Sequence, residues 1–284
     1  MKKRRIVANI LIYIFLVALL MVVVVPILYT ILSSFKTNSE IMAHPERLFP
    51  EKFTLENYRI AFGMGDYNFG RMLWNSTYYT IFCVIITVTM STLTGYVFAR
   101  GGNFPGSKAV FAVFSSLMFI SLGSITIYAL FKVLGLFKLN DSLWGLIVMK
   151  FFSVGIANIY IVRGYINTLP ISIDEAAEID GCSFVGIFFR IIAPLLKPVI
   201  ATLVVLAFNG SWNDYLMPTL FTITNPQQRP LIVGIMHLKN SGAAASSWNL
   251  MLAGATIALV PVLVVYAICN KYFVNGIASA AVKE

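Results

Sequence analysis

Long apolar runs separated by short polar stretches dominate this chain. A helix that crosses the hydrocarbon layer of a membrane needs about 20 mostly apolar residues, and six of the runs are long enough. The fifth run is the longest, and polar residues interrupt it. The pattern predicts an all-α membrane protein with six transmembrane helices, at residues 10–34, 73–99, 109–131, 143–162, 191–222 and 249–270.

The first of these runs follows a basic cluster, as the core of a secretory signal peptide does. Its apolar part extends from Ile10 to Leu32, whereas a signal peptide has an apolar core of roughly 7–15 residues. No small-residue cleavage site follows it. We therefore expect a retained first span, with Pro26 as a candidate kink.

Composition and charge agree with a membrane location. Hydrophobic residues make up 58% of the chain and charged residues only 12%, whereas about a quarter of a soluble domain is charged. The net charge of +9 would suit nucleic acid, but no basic stripe lies along a polar face. We interpret the cations as anchors of the loops at a lipid bilayer and expect no nucleic acid as a partner.

The basic cluster before the first span sets the orientation. Four cations there favour a cytoplasmic N-terminus, and six spans then place both termini in the cytoplasm. The chain divides accordingly into a tail with the first span, an outer loop, a core with the other five spans and a cytoplasmic tail, at residues 1–35, 36–72, 73–270 and 271–284.

The outer loop contains one local helix signal. The stretch TLENY predicts a short helix with Thr54 as its N-cap and Asn57 near its third position. Phe53, Tyr58 and Phe62 are spaced to share one face. We expect a small cap that packs on the outer end of the helix bundle.

The sequence offers no arrangement suited to catalysis, metal binding or a cofactor. The three cysteines are scattered, and His44 and His237 lie far apart without acidic or cysteine companions. The nearest imitation of a phosphate-binding loop, GGNFPGSK at 101–108, has Ser-Lys where Lys followed by Ser or Thr is needed. We expect no catalytic residue, no metal and no cofactor.

An acidic segment between the fourth and fifth spans, within residues 164–190, predicts a helix–turn–helix. Four of the chain's 12 acidic residues lie in 174–180. Ser172 and Glu175 have the spacing of a capping box, Gly181 can adopt the positive φ that ends a helix, and Ser183 can cap a second helix. The second helix has an apolar face: Phe184, Ile187, Phe188 and Ile191. Such a rigid cytoplasmic surface is suited to being pushed by another protein.

The stretch EAAEIDGCSFVGIFFRIIAPLLKP, residues 175–198, resembles the EAA loop of binding-protein-dependent ABC importer permeases. The positions that match are Glu175, Ala176, Ala177, Gly181 and Pro194, and Ala193 replaces the usual leucine. Three further stretches, TLENYRIAF, FNGSWNDYLMPTLF and NKYFVNGIASAAVKE, resemble the carbohydrate-uptake branch of that family, its maltose-type, MalG-like permeases.

The resemblance implies a MetI-like permease fold with a cytoplasmic coupling helix between spans 4 and 5, in a bacterial cell membrane. It implies a second homologous permease, two copies of a cytoplasmic ATPase, and an extracytoplasmic solute-binding protein that meets the loops 36–72 and 223–248. The substrate would be a sugar or an oligosaccharide, and ATP hydrolysis would belong to the partner chains. The residues that would couple to the ATPase are Asp174, Glu175, Ala176, Ala177, Asp180 and Gly181.

Two charges lie inside predicted spans, where charges are costly and mark a path or a pair. Lys150 either serves a function or extends to the outer interface, and its pairing with Asp214 is a further hypothesis. Asp214 belongs to a polar interruption that either borders the substrate path or is an interfacial helix break. The candidate path residues are Asn209, Trp212, Asn213, Asp214 and Tyr215.

Other classes of protein fit less well. An ion-coupled secondary carrier would show an inverted repeat with ligands for the coupling ion, and an intramembrane enzyme would show a clustered nucleophile and base. Neither pattern is visible. A permease of the same type for another small solute, such as glycerol phosphate, remains an alternative.

Overall fold

Helices form all the regular structure in the part of the chain that the computed structural model describes, which is residues 2–63, 68–101, 106–117, 119, 125–153, 155–240 and 244–281. Four residues of the phosphate-loop imitation, 102–105, lie outside that part. The chain divides into two compact units, Met1–Leu73 with Leu231–Val260 and Trp74–Pro230 with Pro261–Glu284. In chain order the helices are α1 (Lys2–Ser33), α2 (Asn38–Ala43), α3 (Glu56–Gly63), α4 (Phe69–Arg100), α5 (Ser107–Leu117), α6 (Ile125–Leu136), α7 (Leu143–Phe152), α8 (Ile156–Ile166), α9 (Ser172–Ile179), α10 (Phe184–Ile187), α11 (Ala193–Leu195), α12 (Lys197–Trp212), α13 (Leu216–Phe221), α14 (Leu231–Asn240) and α15 (Ala244–Ala281).

In the first unit, α1 is apolar around its whole circumference. None of its most apolar stretch, within Asn9–Ser33, is buried against the rest of the chain. A helix of this kind needs surroundings as apolar as itself, which a bilayer provides. Pro26 lies inside it, and the kink expected there stays a prediction.

The end of α1 is fastened to α3 by buried polar groups. The Asn57 amide donates to the carbonyl oxygens of Ser34 and Lys36 at 2.7 and 2.8 Å, and the hydroxyls of Ser34 and Tyr58 lie 2.6 Å apart. The fully buried Lys36 ammonium donates to the Arg47 carbonyl. The Asn57 and Tyr58 bonds fix the segment that directly follows α1, so α3 packs on this end of α1.

The helix predicted from TLENY is present, with one difference. Thr54 Oγ1 accepts a hydrogen bond from the backbone N–H of Glu56 at 3.1 Å, so the predicted cap is confirmed. Asn57 lies near the third position, but its side chain turns inward to α1 instead of back to the cap. On the exposed side of α3, the Arg59 guanidinium donates to both carboxylate oxygens of Glu56 at 2.6 and 2.8 Å, which lowers the pKa of that carboxyl.

Helices α14 and α15 of this unit pack closely on the start of α4. A Cβ at Gly234 of α14 would collide with the Met72 sulfur, so a larger residue there would require the Met72 side chain to move. The buried residues of this core are Ala61, Phe69, Met72, Leu231, Ile235, Leu238, Leu250 and Met251.

Three predicted spans correspond to single helices that are long and apolar enough to cross a membrane, α1, α4 and α15. Two more correspond to bent pairs, α7 with α8 at 44°, and Phe184–Leu195 with α12 at 80°. The predicted third span, 109–131, falls on α5, on α6 and on residues outside the described part. The described helices therefore supply three spans, or up to five if each bent pair is one span.

The fifth span differs from the prediction in its course. Helical structure begins at Phe184, well before residue 191, and passes through a wider π turn at Phe188–Ile192 before the 80° bend at Leu196. Pro198 explains the bend, because a proline inside a straight helix lacks an N–H and its ring collides with the carbonyl four residues earlier. The predicted fifth span, 191–222, therefore falls on α11, α12 and α13, and the bend lies near its start.

Candidate functional site

The acidic segment forms a hairpin, residues 172–187, which consists of α9, a turn at Gly181 and α10. Gly181 has a φ of +80°, a conformation that costs a residue with a side chain roughly 1–2 kcal/mol. The N–H of Gly181 donates to the Glu178 carbonyl at 3.0 Å, and that of Cys182 to the Ala177 carbonyl at 2.9 Å. This pair of bonds is the Schellman motif that closes a helix, so the predicted glycine turn is confirmed.

The start of α9 does not have the predicted cap. Ser172 lies inside the first turn, and Ile171 before it already has helical φ and ψ. The N–H groups of Asp174 and Glu175 both donate to the Ile171 carbonyl, at 2.9 and 3.1 Å. The capping box of Ser172 and Glu175 was wrong, because the preceding backbone turn supplies the acceptor that the serine hydroxyl would have provided.

The second arm of the hairpin follows the prediction more closely. Ser183 Oγ accepts from the N–H of Gly186 at 3.2 Å, as expected for an N-cap. Ile187 and Phe188 are buried and Ile191 is partly buried against the same core. The Phe184 ring is half-exposed and stacks on another aromatic ring of the chain.

The hairpin is mounted on the second unit through Asp174, which faces inward. The residue is buried, and its Oδ2 accepts from Nε of Arg100 at 3.0 Å. Ala177, one turn further, is also buried. Two of the six predicted coupling residues therefore face the chain's own helices.

The other predicted coupling residues face solvent. Glu175, Ala176, Asp180 and Gly181 are exposed, as is Glu178 between them. Sequence reasoning missed Ile179, whose side chain is 86% exposed among these acids. The spacing along α9 offered a signal. Residues two positions apart on a helix point about 200° away from each other, so Ile179 lies opposite the buried Ala177.

The polar interruption in the fifth span forms a junction, residues 209–217, between α12 and α13. Asn213 donates to the side chain and carbonyl of Asn209 at 2.7 and 3.1 Å. Asp214 accepts from the Tyr79 hydroxyl at 3.2 Å and from the N–H of Met217 at 3.3 Å. The Trp212 ring is buried and stacks on Phe208 at 5.4 Å. Asn209, Asn213 and Tyr215 are exposed.

Lys150 and Asp214 line one small cavity with Tyr79 and Ser153, of about 120 Å³. Their charged groups form no ion pair within 4.0 Å among the described residues. The cavity is large enough to hold water. The hypothesis of a direct pair was therefore wrong, although both residues line the same cavity.

The described residues bring no three histidine, cysteine or acidic side chains together in a group that could hold a metal ion. The chemistry that the two sites offer is contact with a partner at the hairpin, and hydrogen bonding at the junction.

The arrangement of a helical membrane core with a surface hairpin can be compared with known families. Residues 91–279 match the family described as binding-protein-dependent transport system inner membrane component, and this covers well over half of the chain. The chain belongs to this family. It is thus a multi-pass permease component of an ABC transport system and not itself an enzyme.

The permease is similar over most of its length to several named relatives. It is 32% identical to the probable starch degradation products transport system permease protein AmyC of Thermoanaerobacterium thermosulfurigenes, over 91% of both chains. It is 30% identical to the galactooligosaccharides transport system permease protein GanQ of Bacillus subtilis, over 100% of this chain and 98% of that one. It is also 30% identical to the multiple sugar-binding transport system permease protein MsmG of Streptococcus mutans, over 92% of each.

A solved structure confirms the fold. The permease superposes with a TM-score of 0.80 on a chain of a bacterial ABC transporter involved in the import of the acidic polysaccharide alginate. The match covers 94% of this chain and 96% of that chain, at 21% identity. The predicted MetI-like permease fold is confirmed.

Proposed function

We propose that this permease is one of two membrane subunits of an ATP-driven importer for a sugar or an oligosaccharide. The observation that carries the proposal is the hairpin, which is fixed to the core by its inward residues and presents acids and an isoleucine outward. Relatives named for galactooligosaccharides, starch degradation products and multiple sugars support the substrate class.

In this proposal the chain crosses a bacterial plasma membrane six times with both termini in the cytoplasm. The third crossing is formed from the segment between Ser107 and Leu136, and the fourth and fifth from the two bent pairs. The hairpin then lies in the cytoplasm, where its coupling helix α9 meets an ATPase. The complete importer holds a second homologous permease, two ATPase copies and an extracytoplasmic solute-binding protein.

The coupling residues divide into two roles. Glu175, Ala176 and Asp180 contact the ATPase directly, and Gly181 holds the turn that presents them. Asp174 and Ala177 keep α9 seated on the core, which is why they are buried. An apolar cleft with a basic rim on the ATPase would complement the exposed isoleucine and the acids around it.

The junction contributes to the substrate path through its exposed members. Asn209, Asn213 and Tyr215 offer amide groups and a ring to a sugar, since exposed polar and aromatic groups can bind hydroxyls and sugar faces. Trp212 and Asp214 stabilise the junction from its inner side. Trp212 stacks on the ring of Phe208, and Asp214 accepts a hydrogen bond from the hydroxyl of Tyr79.

Uptake and cross-linking together test the proposal. The host lacking this chain is assayed for uptake of labelled maltodextrin, galactooligosaccharide and arabinooligosaccharide, and we expect loss of at least one uptake that the intact chain restores. A photoreactive group at Glu178 should cross-link to an ATPase subunit in native membranes, whereas one at the exposed Leu55 of the outer loop should not. Cross-linking at Glu178 to no nucleotide-hydrolysing protein would contradict the proposal, as would carbohydrate uptake unchanged by the deletion.

A further inference from the structure

The last two turns of α4 hold both arms of the hairpin. Arg100 ends α4 and bonds to the first arm through Asp174. Tyr96 lies four residues earlier, on the same face of the helix, and bonds to the second arm: its hydroxyl donates to the Phe184 carbonyl at 3.2 Å. One helix end therefore reaches both sides of the Gly181 turn.

The Arg100 guanidinium joins three segments of chain. Besides Asp174 it donates to the carbonyls of Ile166 and Leu169, at 3.1 and 2.7 Å. Ile166 ends α8, where the last carbonyls of a helix have no partner within it. The side chains of Arg100 and Asp174 are each only 9% exposed, so water screens this ion pair weakly.

The second attachment is aromatic. The Tyr96 ring stacks on Phe184 with 4.5 Å between centroids and meets Phe188 at 5.1 Å. Tyr96, Ile187 and Phe188 belong to one buried core. The second arm is thus held by ring packing and a hydrogen bond, and the first arm by charge.

Close packing extends the same attachment to α8. A Cβ at Gly95, beside Tyr96, would lie 2.5 Å from a methyl carbon of Val162, so the Val162 side chain of α8 packs directly against the backbone of α4. Packed cores resist continuous deformation. We therefore expect the hairpin, α4 and α8 to move together as a rigid body when the hairpin is displaced.

We propose that Arg100 and Tyr96 are the positioning residues through which the hairpin moves span α4, so that the force of the ATPase enters the core at this helix end. The inference rests on the proposed function, because it needs the hairpin to meet an ATPase. Arg100 keeps the first arm in register with α4, and Tyr96 keeps the second. Without Arg100 the ATPase still docks on the outward face of α9. The movement of the ATPase then rotates the hairpin relative to the core and no longer rotates α4.

The test separates docking from transmission in the complex purified from native membranes with its own partners. Arg100→Met removes the charge at similar length. We expect the ATPase to remain in the purified complex and to hydrolyse ATP, while the amount of labelled oligosaccharide taken up per ATP falls by about tenfold or more, the usual size of a coupling between two sites. Arg100→Lys keeps the charge without the planar fork and should restore part of that ratio. Tyr96→Phe removes one hydrogen bond and should reduce the ratio by less than Arg100→Met.

Lys132→Met provides the control, because Lys132 is an exposed cation of α6 that lies outside the hairpin and outside both outer loops, so its loss should change neither hydrolysis nor uptake. An unchanged ratio of uptake to hydrolysis in Arg100→Met would overturn the proposal. Loss of the ATPase from the complex together with normal protein abundance would also overturn it, because Arg100 would then be needed for docking and not for transmission. Absence of any ATPase from the complex of the unmodified chain would instead contradict the proposed function.

A second measurement keeps Arg100 and Tyr96 unchanged. Its result therefore does not depend on whether a variant of either residue folds. Spin labels are placed at Ile85 on α4 and Glu178 on α9, both exposed, after Cys182 is replaced by serine. The labelled complex is first shown to transport normally. The distance between the two labels should then be the same in its nucleotide-free and its vanadate-trapped state. A change in that distance between the two states would show that the hairpin slides on α4, and the proposal would fail.

Discussion

The hairpin and the junction are both polar interruptions between apolar helices, but they use their polar groups differently. In the junction the side chains bond to one another, Asn213 to Asn209 and Asp214 to Tyr79. In the hairpin one acid is bonded inward, while the others and Ile179 point away from the chain. Buried polar groups without partners are costly, and large apolar groups in water are too. The contrast indicates that the junction is largely complete within this chain, and it agrees with our proposal that another protein completes the hairpin.

Removing Asp214 should have the largest effect, since it is the centre of the junction. Asp214→Ala leaves the Tyr79 hydroxyl and the Met217 N–H without their acceptor, and both hydrogen bonds are part-buried, so the cost should be up to roughly 3 kcal/mol. We expect strongly reduced abundance of folded permease in the membrane. The measurement is the amount of monodisperse permease that size-exclusion chromatography recovers after extraction in detergent. Asp214→Asn keeps an acceptor oxygen and should retain most of the protein. If the alanine variant were as abundant and as heat-resistant as the unmodified permease, the junction would not be the internally completed structure described here.

Changing Ile179 tests the opposite half of the comparison. Burial of an isoleucine side chain in a partner contributes up to about 1.5–3 kcal/mol, so Ile179→Ser should weaken ATPase retention by about tenfold or more without lowering permease abundance. The ATPase that copurifies with the permease gives the measurement. Leu55→Ser is the control, because Leu55 is similarly exposed on the outer loop. Equal retention in the two variants would show that Ile179 is not part of the interface.

Straining the turn of the hairpin should have a smaller effect. Gly181→Val places a β-branched residue at a φ of +80° and should cost roughly 1–2 kcal/mol, seen as a lower melting temperature and partial loss of ATPase retention. Gly164→Ala is a matched control within α8, where an added Cβ meets nothing within 4 Å and alanine favours the helix. A valine variant with an unchanged melting temperature would contradict the role given to the glycine.

The smallest effect should come from an exposed member of the junction. Tyr215→Ala removes a side chain on the surface of the junction, so abundance should fall little while the substrate concentration for half-maximal uptake rises by a few-fold, about 1 kcal/mol of lost binding. Tyr215→Phe should behave like the unmodified permease if ring stacking is what matters. Normal uptake in the alanine variant would remove Tyr215 from the substrate path.

The features that depend on local chain chemistry could be predicted from the sequence. Gly181 ends α9 because only glycine adopts that φ without strain, and Ser183 caps α10 because its hydroxyl reaches an amide three residues on. Three long spans followed from apolar runs, and the order of helix, turn and helix between the fourth and fifth predicted spans followed from the turn and cap residues. The glycine-based motif also indicated the family correctly.

The features that depend on what packs against what required the tertiary structure. The sequence shows Asp174, Glu175, Glu178 and Asp180 as similar acids, and only the position of Arg100, far away along the chain, separates the buried one from the exposed ones. In the same way, the polar residues at 209–215 suggested a site for sugar until Tyr79 and Phe208 were seen to occupy two of them. Periodicity and turn chemistry act over a few residues and are therefore legible in the sequence, whereas the partner of a charge is chosen by the fold.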